Sequence, residues 1–256
     1  MKTSRAVRLI LAVALVLSSL SAFSDTGLAA GNGPPDKEVI IFVHYPKGHG
    51  PPEQARPGGG GGGGACPSRT FAKWADLNAA VTFVVDSSGS GLAAQDALTG
   101  VVNSVAEWSN WSGLPAPVGG TFAGVPSSYT GSSNGTNEVG WGSLSALGYS
   151  NAIAVTWTWR NRATKAAVEW DMVFNTDPGF NWAQSDLGGA DPNTAVVSAG
   201  AYDVQNIGTH EAGHAFGLDY VSEAAHTMYS YGSKDEVKKR SLECGDKAGI
   251  QKLYGV

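Results

Sequence analysis

The segment H-E-A-G-H-A-F-G, residues 210–217, constrains the fold of this chain more than any other feature. Two histidines that are four residues apart project from one face of an α-helix at adjacent turns. The preceding segment carries Val204 and Ile207 as apolar markers of such a helix, and Asp203 is a suitable N-cap. Gly217 can adopt the positive φ that ends a helix and turns the chain back. The sequence therefore predicts a helix from about Asp203 to a turn at Gly217.

The two histidines of this helix predict a metal site. His210 and His214 can bind one Zn²⁺ ion in a tetrahedral arrangement. Glu211 lies about 100° further round the helix, so its carboxylate can lie beside the metal without being a ligand. There it can act as the general base for metal-activated water and pass the proton to a leaving amine. The alternative for these five residues is a polar helix face with two unrelated histidines.

The first 30 residues have the layout of a secretory signal peptide. Basic residues precede an apolar run from Leu9 to about Leu17, and small residues follow. This run is shorter than the ~20 residues that a membrane span needs. We therefore expect cleavage between Ala22 and Ala30, secretion to the extracellular space, and no membrane attachment after cleavage.

Export decides how the two cysteines are interpreted. Cys66 and Cys244 make an even number in an oxidising compartment, which favours a disulfide from the start of the folded domain to its last helix. The alternative, in which Cys66 caps an active-site zinc ion in a latent form, lacks the flanking residues expected of such a switch.

The charge distribution narrows the range of partners. A formal net charge of -5 argues against a protein built around a basic nucleic-acid surface. The basic cluster at residues 238–240 follows two acidic residues, so we interpret it as a solvated segment. We expect a monomer that acts on a protein or peptide and binds no nucleic acid.

Composition divides the exported chain into a short leading segment and one folded domain. The sequence K-E-V-I-I-F-V-H-Y is apolar enough for a strand, but prolines and seven consecutive glycines ending at Gly64 follow it. Residues 31–68 are therefore a short pro-segment or an extra strand, plus a Pro/Gly-rich linker. Residues 69–256 form the predicted domain.

Periodicity within this domain predicts strands and one long amphipathic helix. The predicted elements are strands at Ala80–Asp86, around Glu138–Trp141, Ala152–Trp159 and Ala166–Asn175, and a helix over Leu92–Trp108. The stretch from Ser109 to Gly148 is otherwise loop. A later loop holds Asp177, Asp186 and Asp191, whose carboxylates suit a Ca²⁺ ion unless they are simply solvated.

From about Val81 to Gly255 the chain resembles the metzincin clan of zinc peptidases, and in particular its matrixin branch as found in microbial secreted proteins. The matching segments are H-E-A-G-H-A-F-G-L-D, the T-M-Y of a Met-turn, the strand D-M-V-F-N and the closing C-G-D-K-A-G-I-Q-K-L-Y-G. The resemblance implies an α+β fold. Its twisted mixed sheet has an antiparallel edge strand and packs on two helices, one of them the active-site helix, with a C-terminal helix below.

The same resemblance implies a secreted, zinc-dependent endopeptidase that hydrolyses peptide bonds. It assigns the two helical histidines as zinc ligands, Glu211 as general base, Gly217 as the turn and Met228 as the Met-turn residue. A protease that takes a glutamate ligand from a later helix would leave Gly217 and Met228 without a purpose.

The chain departs from the matrixin pattern at the third zinc ligand. The family position falls on Tyr220, whose phenolate a metal can stabilise, while the neighbouring Asp219 offers an oxygen that zinc accepts readily. His226 has suitable ligand chemistry but lies outside the family position. Without a third ligand, the alternative is a secreted non-catalytic binding or structural protein on a metzincin scaffold with an impaired zinc site.

Overall fold

The computed structural model describes residues 36–49, 66–184 and 199–255. The predicted signal peptide, nearly all of the linker, and Asp186 and Asp191 of the predicted calcium loop lie outside these residues. The helices are α1 Ala94–Ser112, α2 Val204–Ala215 and α3 Cys244–Tyr254. The strands are β1 Lys37–Pro46, β2 Lys73–Trp74, β3 Thr82–Val85, β4 Val118–Thr121, β5 Glu138–Gly142, β6 Ala154–Asn161, β7 Ala166–Asn175, β8 Trp182–Ala183, β9 Tyr202–Asp203 and β10 Tyr231–Gly232.

Most of the described strands form one mixed sheet with the order β10-β1-β6-β7-β5-β3-β4, and β2 pairs with β7. The pairs among β3, β4, β5 and β7 are parallel, whereas β6 is antiparallel to β7. The predicted α+β class with a mixed sheet is confirmed. The four strands and the long helix predicted from periodicity are present within a few residues of their expected bounds.

The antiparallel strand β6 does not form an open edge among the described residues. Strand β1 covers it in an antiparallel register that runs from Lys37 opposite Asn161 to His44 opposite Ala154. On its outer side, β1 pairs in parallel with β10. The segment that the sequence left as a pro-segment or an extra strand is therefore part of the main sheet.

The two faces of the sheet bury different clusters. The larger cluster packs the sheet against α1 and α2, with Trp108 and Ile207 fully buried in it. The Trp108 indole donates a hydrogen bond of 2.7 Å to the Thr209 carbonyl, which joins α1 to α2. The smaller cluster lies on the opposite face, where Val155 and Trp157 of β6 meet Val39 of β1 and its neighbours. Alternate residues of β6 therefore face α2, as a pleated strand requires.

Helix α2 is held at its N-terminus by a buried ion pair. Asp203 caps the helix by accepting a hydrogen bond of 2.7 Å from the Asn206 amide. The Arg240 guanidinium donates two hydrogen bonds to the same carboxylate, one from Nε at 2.7 Å and one from Nη2. Both side chains are fully buried. Lys239 is also buried. Our interpretation of residues 238–240 as a solvated segment is wrong for Lys239 and Arg240, because both side chains are buried and donate hydrogen bonds to oxygen atoms inside the fold.

A disulfide ties the end of the linker to α3. Cys66 and Cys244 are bonded, with their Cα atoms 5.2 Å apart. The bond closes a loop across 178 positions of sequence. The last helix is thereby fixed covalently to the segment that leads into the domain.

Candidate metal centre

Helix α2 presents two buried histidines to one site. His210 and His214 lie on adjacent turns and are fully buried. Their ring centroids are 4.9 Å apart and the rings are perpendicular. Strand β6 faces the same part of α2, and its Thr158 hydroxyl donates a hydrogen bond of 3.1 Å to the His214 carbonyl. The helix and the sheet therefore hold both imidazoles in place.

Hydrogen bonds at Nδ1 orient the two imidazoles. The Nδ1 atom of His210 lies 2.7 Å from the Thr227 carbonyl, and that of His214 lies 2.8 Å from the Leu218 carbonyl. A carbonyl oxygen only accepts, so each Nδ1 carries the proton and each Nε2 carries the lone pair. Burial is the main cause that holds the pKa of His210 well below its usual value, and the neighbouring His44, Lys239 and His214 act in the same direction. A neutral imidazole with its lone pair on Nε2 is the form that binds zinc.

A third histidine, which sequence reasoning did not identify, joins the site from β1. His44 is fully buried, and its ring stacks on that of His210 with centroids 3.9 Å apart. Its Nδ1 atom lies 3.1 Å from Oε1 of Glu211. Ligand atoms of His44, His210 and Glu211 lie within 4.8 Å of one another, which is a spacing suited to a metal ion. The available signal was a single histidine on an otherwise apolar strand, on the same face as Phe42.

The carboxylate of Glu211 has a defined position beside the histidines. Its Oε2 accepts a hydrogen bond of 2.6 Å from the Thr156 hydroxyl of β6. Burial raises the pKa of Glu211 to about 8, against the opposing effect of the Thr156 hydrogen bond. A raised pKa makes this carboxylate a stronger base than an exposed glutamate.

The residues present fit a zinc ion. The Nε2 atom of His210 is buried and has no hydrogen-bond partner among the described residues. The Nε2 atoms of His44 and His214 likewise make no hydrogen bond, although both residues have ring contacts and hydrogen bonds at other atoms. Burying a polar nitrogen without a partner is costly. The metal-sized cluster offers the imidazole nitrogens of His44 and His210 and the carboxylate of Glu211, which are donor types that zinc accepts.

The sequence candidates for the third ligand lie in different surroundings. Asp219 forms an ion pair with Arg69 at 3.3 Å and is partly exposed. Tyr220 has its ring 4.6 Å from that of His214, but its hydroxyl donates a hydrogen bond of 2.9 Å to the Val43 carbonyl of β1. His226 lies beside the disulfide, with Nε2 3.8 Å from the Cys244 sulfur. The metal-sized cluster within the described residues consists of His44, His210 and Glu211, and it includes neither Asp219 nor His226, nor the predicted ligand His214.

The chain after α2 turns back beneath the helix and places Met228 under it. Gly217 has φ +96°, and a Cβ atom there would lie 2.7 Å from the Ala72 carbonyl carbon, so only glycine fits this turn. A Cβ atom on Gly213 would collide with the Met228 sulfur. The backbone amide of Met228 donates to the buried Asp246 carboxylate at 3.1 Å. The turn and the methionine thus pack closely against the floor of the site.

A buried lysine, Lys239, contacts the backbone of the Met-turn. The Lys239 ammonium donates to the carbonyls of Thr227, at 3.0 Å, and Tyr229. It lies 3.3 Å from Nδ1 of His210. Burial lowers the pKa of Lys239 to about 7. Lys239 therefore fixes the same Thr227 carbonyl that orients His210.

The described part of the predicted calcium loop has a different role. Asp177 accepts hydrogen bonds from the Ser143 hydroxyl at 2.6 Å and from the Ser145 amide at 2.8 Å. These contacts lower its pKa. Its carboxylate therefore joins two loops, and no observation in the described residues supports calcium there.

Comparison with known proteins agrees with this geometry. Residues 151–255, which include β6, β7, α2, the Met-turn and α3, match the family model of matrixins. This part of the chain resembles the matrixins, a branch of the metzincin clan. A matched segment of 55 residues is 40% identical to Metalloendoproteinase 1-MMP of Arabidopsis thaliana. That segment covers 22% of this chain and 15% of the plant protein. Similarity alone therefore does not assign the activity of the plant protein to this chain.

Proposed function

We propose that this chain is a secreted zinc-dependent endopeptidase that hydrolyses peptide bonds in proteins or peptides. The observation that carries the proposal is the pair of buried α2 histidines, each hydrogen-bonded through Nδ1, of which His210 lies in a metal-sized cluster with Glu211 and His44. The matrixin match over this part of the chain supports the same chemistry. A zinc ion held by these histidines would polarise the scissile carbonyl and acidify a water molecule.

The chain's own residues supply the proton transfers. The Glu211 carboxylate takes a proton from the attacking water at Oε1 and delivers it to the leaving amine. The Thr156 hydroxyl, bound to Oε2 at 2.6 Å, keeps the carboxylate in one orientation during both transfers. The non-catalytic alternative is not favoured, because the buried imidazoles and the base are all present.

Secretion and a monomeric state remain parts of the proposal. The N-terminal sequence supports export, and the Cys66–Cys244 disulfide is compatible with an oxidising compartment. Across residues 36–49, 66–184 and 199–255, no helix is long and apolar enough to cross a membrane.

The test separates metal binding from catalysis. Metal analysis of the purified chain should give close to one zinc ion in the wild type and in Glu211→Ala, and far less in His210→Ala. Cleavage of a denatured protein should be lost in Glu211→Ala and kept in Glu223→Ala, which removes an exposed carboxylate of the same type. Cleavage by Glu211→Ala at the wild-type rate, or a wild type that holds no zinc, would contradict the proposal.

A further inference from the structure

The buried ammonium of Lys239 is an unusual group to find beside the Met-turn. Lys239 belongs to a short 3-10 helix, Lys238–Arg240, which lies between the Met-turn and α3 in the chain. Its side chain is fully buried. Its backbone amide donates a hydrogen bond of 2.7 Å to the Asn206 side chain of α2. The helix that carries the histidines therefore sets the position of this lysine.

The stability of the fold gives no reason for a lysine at this position. Burying an ammonium is costly unless a carboxylate pairs with it. Within residues 36–49, 66–184 and 199–255, Lys239 forms no ion pair. Burial, and to a smaller extent Lys238, lowers its pKa to about 7, although three more distant carboxylates act against this shift, those of Glu236, Asp246 and Glu211. A methionine, which is similar in length and uncharged, would avoid the cost.

The ammonium contacts the two carbonyls that flank Met228. It donates hydrogen bonds to the Thr227 carbonyl at 3.0 Å and to the Tyr229 carbonyl. A carbonyl oxygen has two lone pairs, so Thr227 can accept from Lys239 and from Nδ1 of His210 at the same time. Because the two donors share one oxygen, their nitrogens lie only 3.3 Å apart.

These bonds close a ring between α2 and the Met-turn. Asn206 lies four residues before His210, on the same face of the helix. The ring runs from Asn206 to the Lys239 backbone, from its ammonium to the Thr227 carbonyl, and from there to His210. The Thr227 oxygen is thus tied to the helix at two points, and it cannot turn away from His210 without losing the bond to Lys239.

We propose that Lys239 is a positioning residue for the metal site: its ammonium holds the carbonyls on both sides of Met228 and so keeps His210 in the orientation that binds zinc. This inference rests on the proposed zinc peptidase function. In this role Lys239 acts through His210, and not on the metal or the substrate directly. The group that binds the second nitrogen of a histidine ligand typically changes metal affinity by about 10–100-fold. Lys239 supports that group.

The first experiment measures zinc affinity by competition with a chelator in the full chain. Two effects of Lys239→Met have opposite signs. Loss of a cation near the site would strengthen zinc binding, whereas loss of support for His210 weakens it. We expect zinc binding at least about tenfold weaker than in the wild type, and a changed visible absorption spectrum with Co²⁺ in place of zinc. Equal or tighter zinc binding by Lys239→Met would overturn the inference.

The matched control is Lys238→Met, the same change at the neighbouring residue. The Lys238 ammonium donates to the Ala224 carbonyl instead. Zinc affinity and the Co²⁺ spectrum should both stay as in the wild type. A loss of affinity as large as that of Lys239→Met would show that the charge of this segment matters and not the bonds to the Met-turn, and would overturn the inference.

The second experiment separates positioning from support of the fold. Metal-free Lys239→Met should melt no lower than the metal-free wild type, because it no longer buries an ammonium without an ion pair. Lys239→Gln keeps N–H donors without the charge, so its zinc affinity should lie between those of the wild type and Lys239→Met. A Lys239→Met chain that does not fold, or a folded Lys239→Gln that binds zinc more weakly than Lys239→Met, would overturn the inference.

His210→Ala distinguishes the two levels of the argument. If His210→Ala binds zinc as the wild type does, the proposed function fails. If His210→Ala loses zinc and Lys239→Met keeps wild-type affinity, the proposed function stands and the role of Lys239 fails alone.

Discussion

The buried pair of Asp203 and Arg240 offers a direct test of how the metal helix is held. Arg240→Met keeps most of the side-chain volume but leaves the Asp203 carboxylate fully buried beside a single backbone donor. Removing one partner of a buried ion pair costs about 3–5 kcal/mol, because the remaining charge has no compensation. Small domains have a free energy of unfolding of about 5–15 kcal/mol, so this change removes a large part of it.

Thermal unfolding of the two variants measures this cost. For a domain of this size, the loss corresponds to a decrease in melting temperature of about 6–20 °C. The double variant Asp203→Asn/Arg240→Met should recover most of the loss, since asparagine also caps α2 and carries no charge. A single variant within about 1 kcal/mol of the wild type would refute the reasoning. A double variant as unstable as the single one would show that lost packing, and not the unpaired charge, dominates.

Three further changes should alter stability by predictable amounts. Gly213→Ala should cost about 1–3 kcal/mol in urea unfolding, because the new methyl group meets the Met228 sulfur, and Met228→Ala in the same chain should relieve part of the strain. Asp246→Ala removes the acceptor of the Met228 amide and should cost about 1–3 kcal/mol in the same assay, with no dependence on added zinc. Reduction of the Cys66–Cys244 disulfide should cost about 3–5 kcal/mol, seen as a lower melting temperature with reductant than without.

Local patterns predicted the elements that carry the site. The periodic apolar residues of α2 and the glycine at position 217 were sufficient to predict the helix and its turn. The strand at Ala166–Asn175 was predicted with its correct bounds, because β-branched and aromatic residues dominate it. The matrixin resemblance was also confirmed, since its motifs lie within the matched residues.

Features that depend on distant partners could not be predicted. The position of His44 is set by the pairing of β1 with β6, and more than a hundred residues separate these strands. The sequence of neither strand identifies the other as its partner. Arg240 appeared solvated because its charge is compensated by Asp203, a residue 37 positions earlier in the chain, at the N-terminus of α2. Sequence position likewise predicted Asp219 as a ligand, and its ion pair with Arg69 could not be predicted. In each case the deciding neighbour is remote in sequence.

The pairing of β1 with β6 also has a consequence for the chain's behaviour in solution. Departure of β1 would expose a long row of amide and carbonyl groups on β6, and an open sheet edge of this kind can pair with any extended chain. A substrate is one such chain, and a second copy of the protein is another. While β1 is paired with β6, these groups are covered, and pairing of β6 with a second copy of the protein is disfavoured.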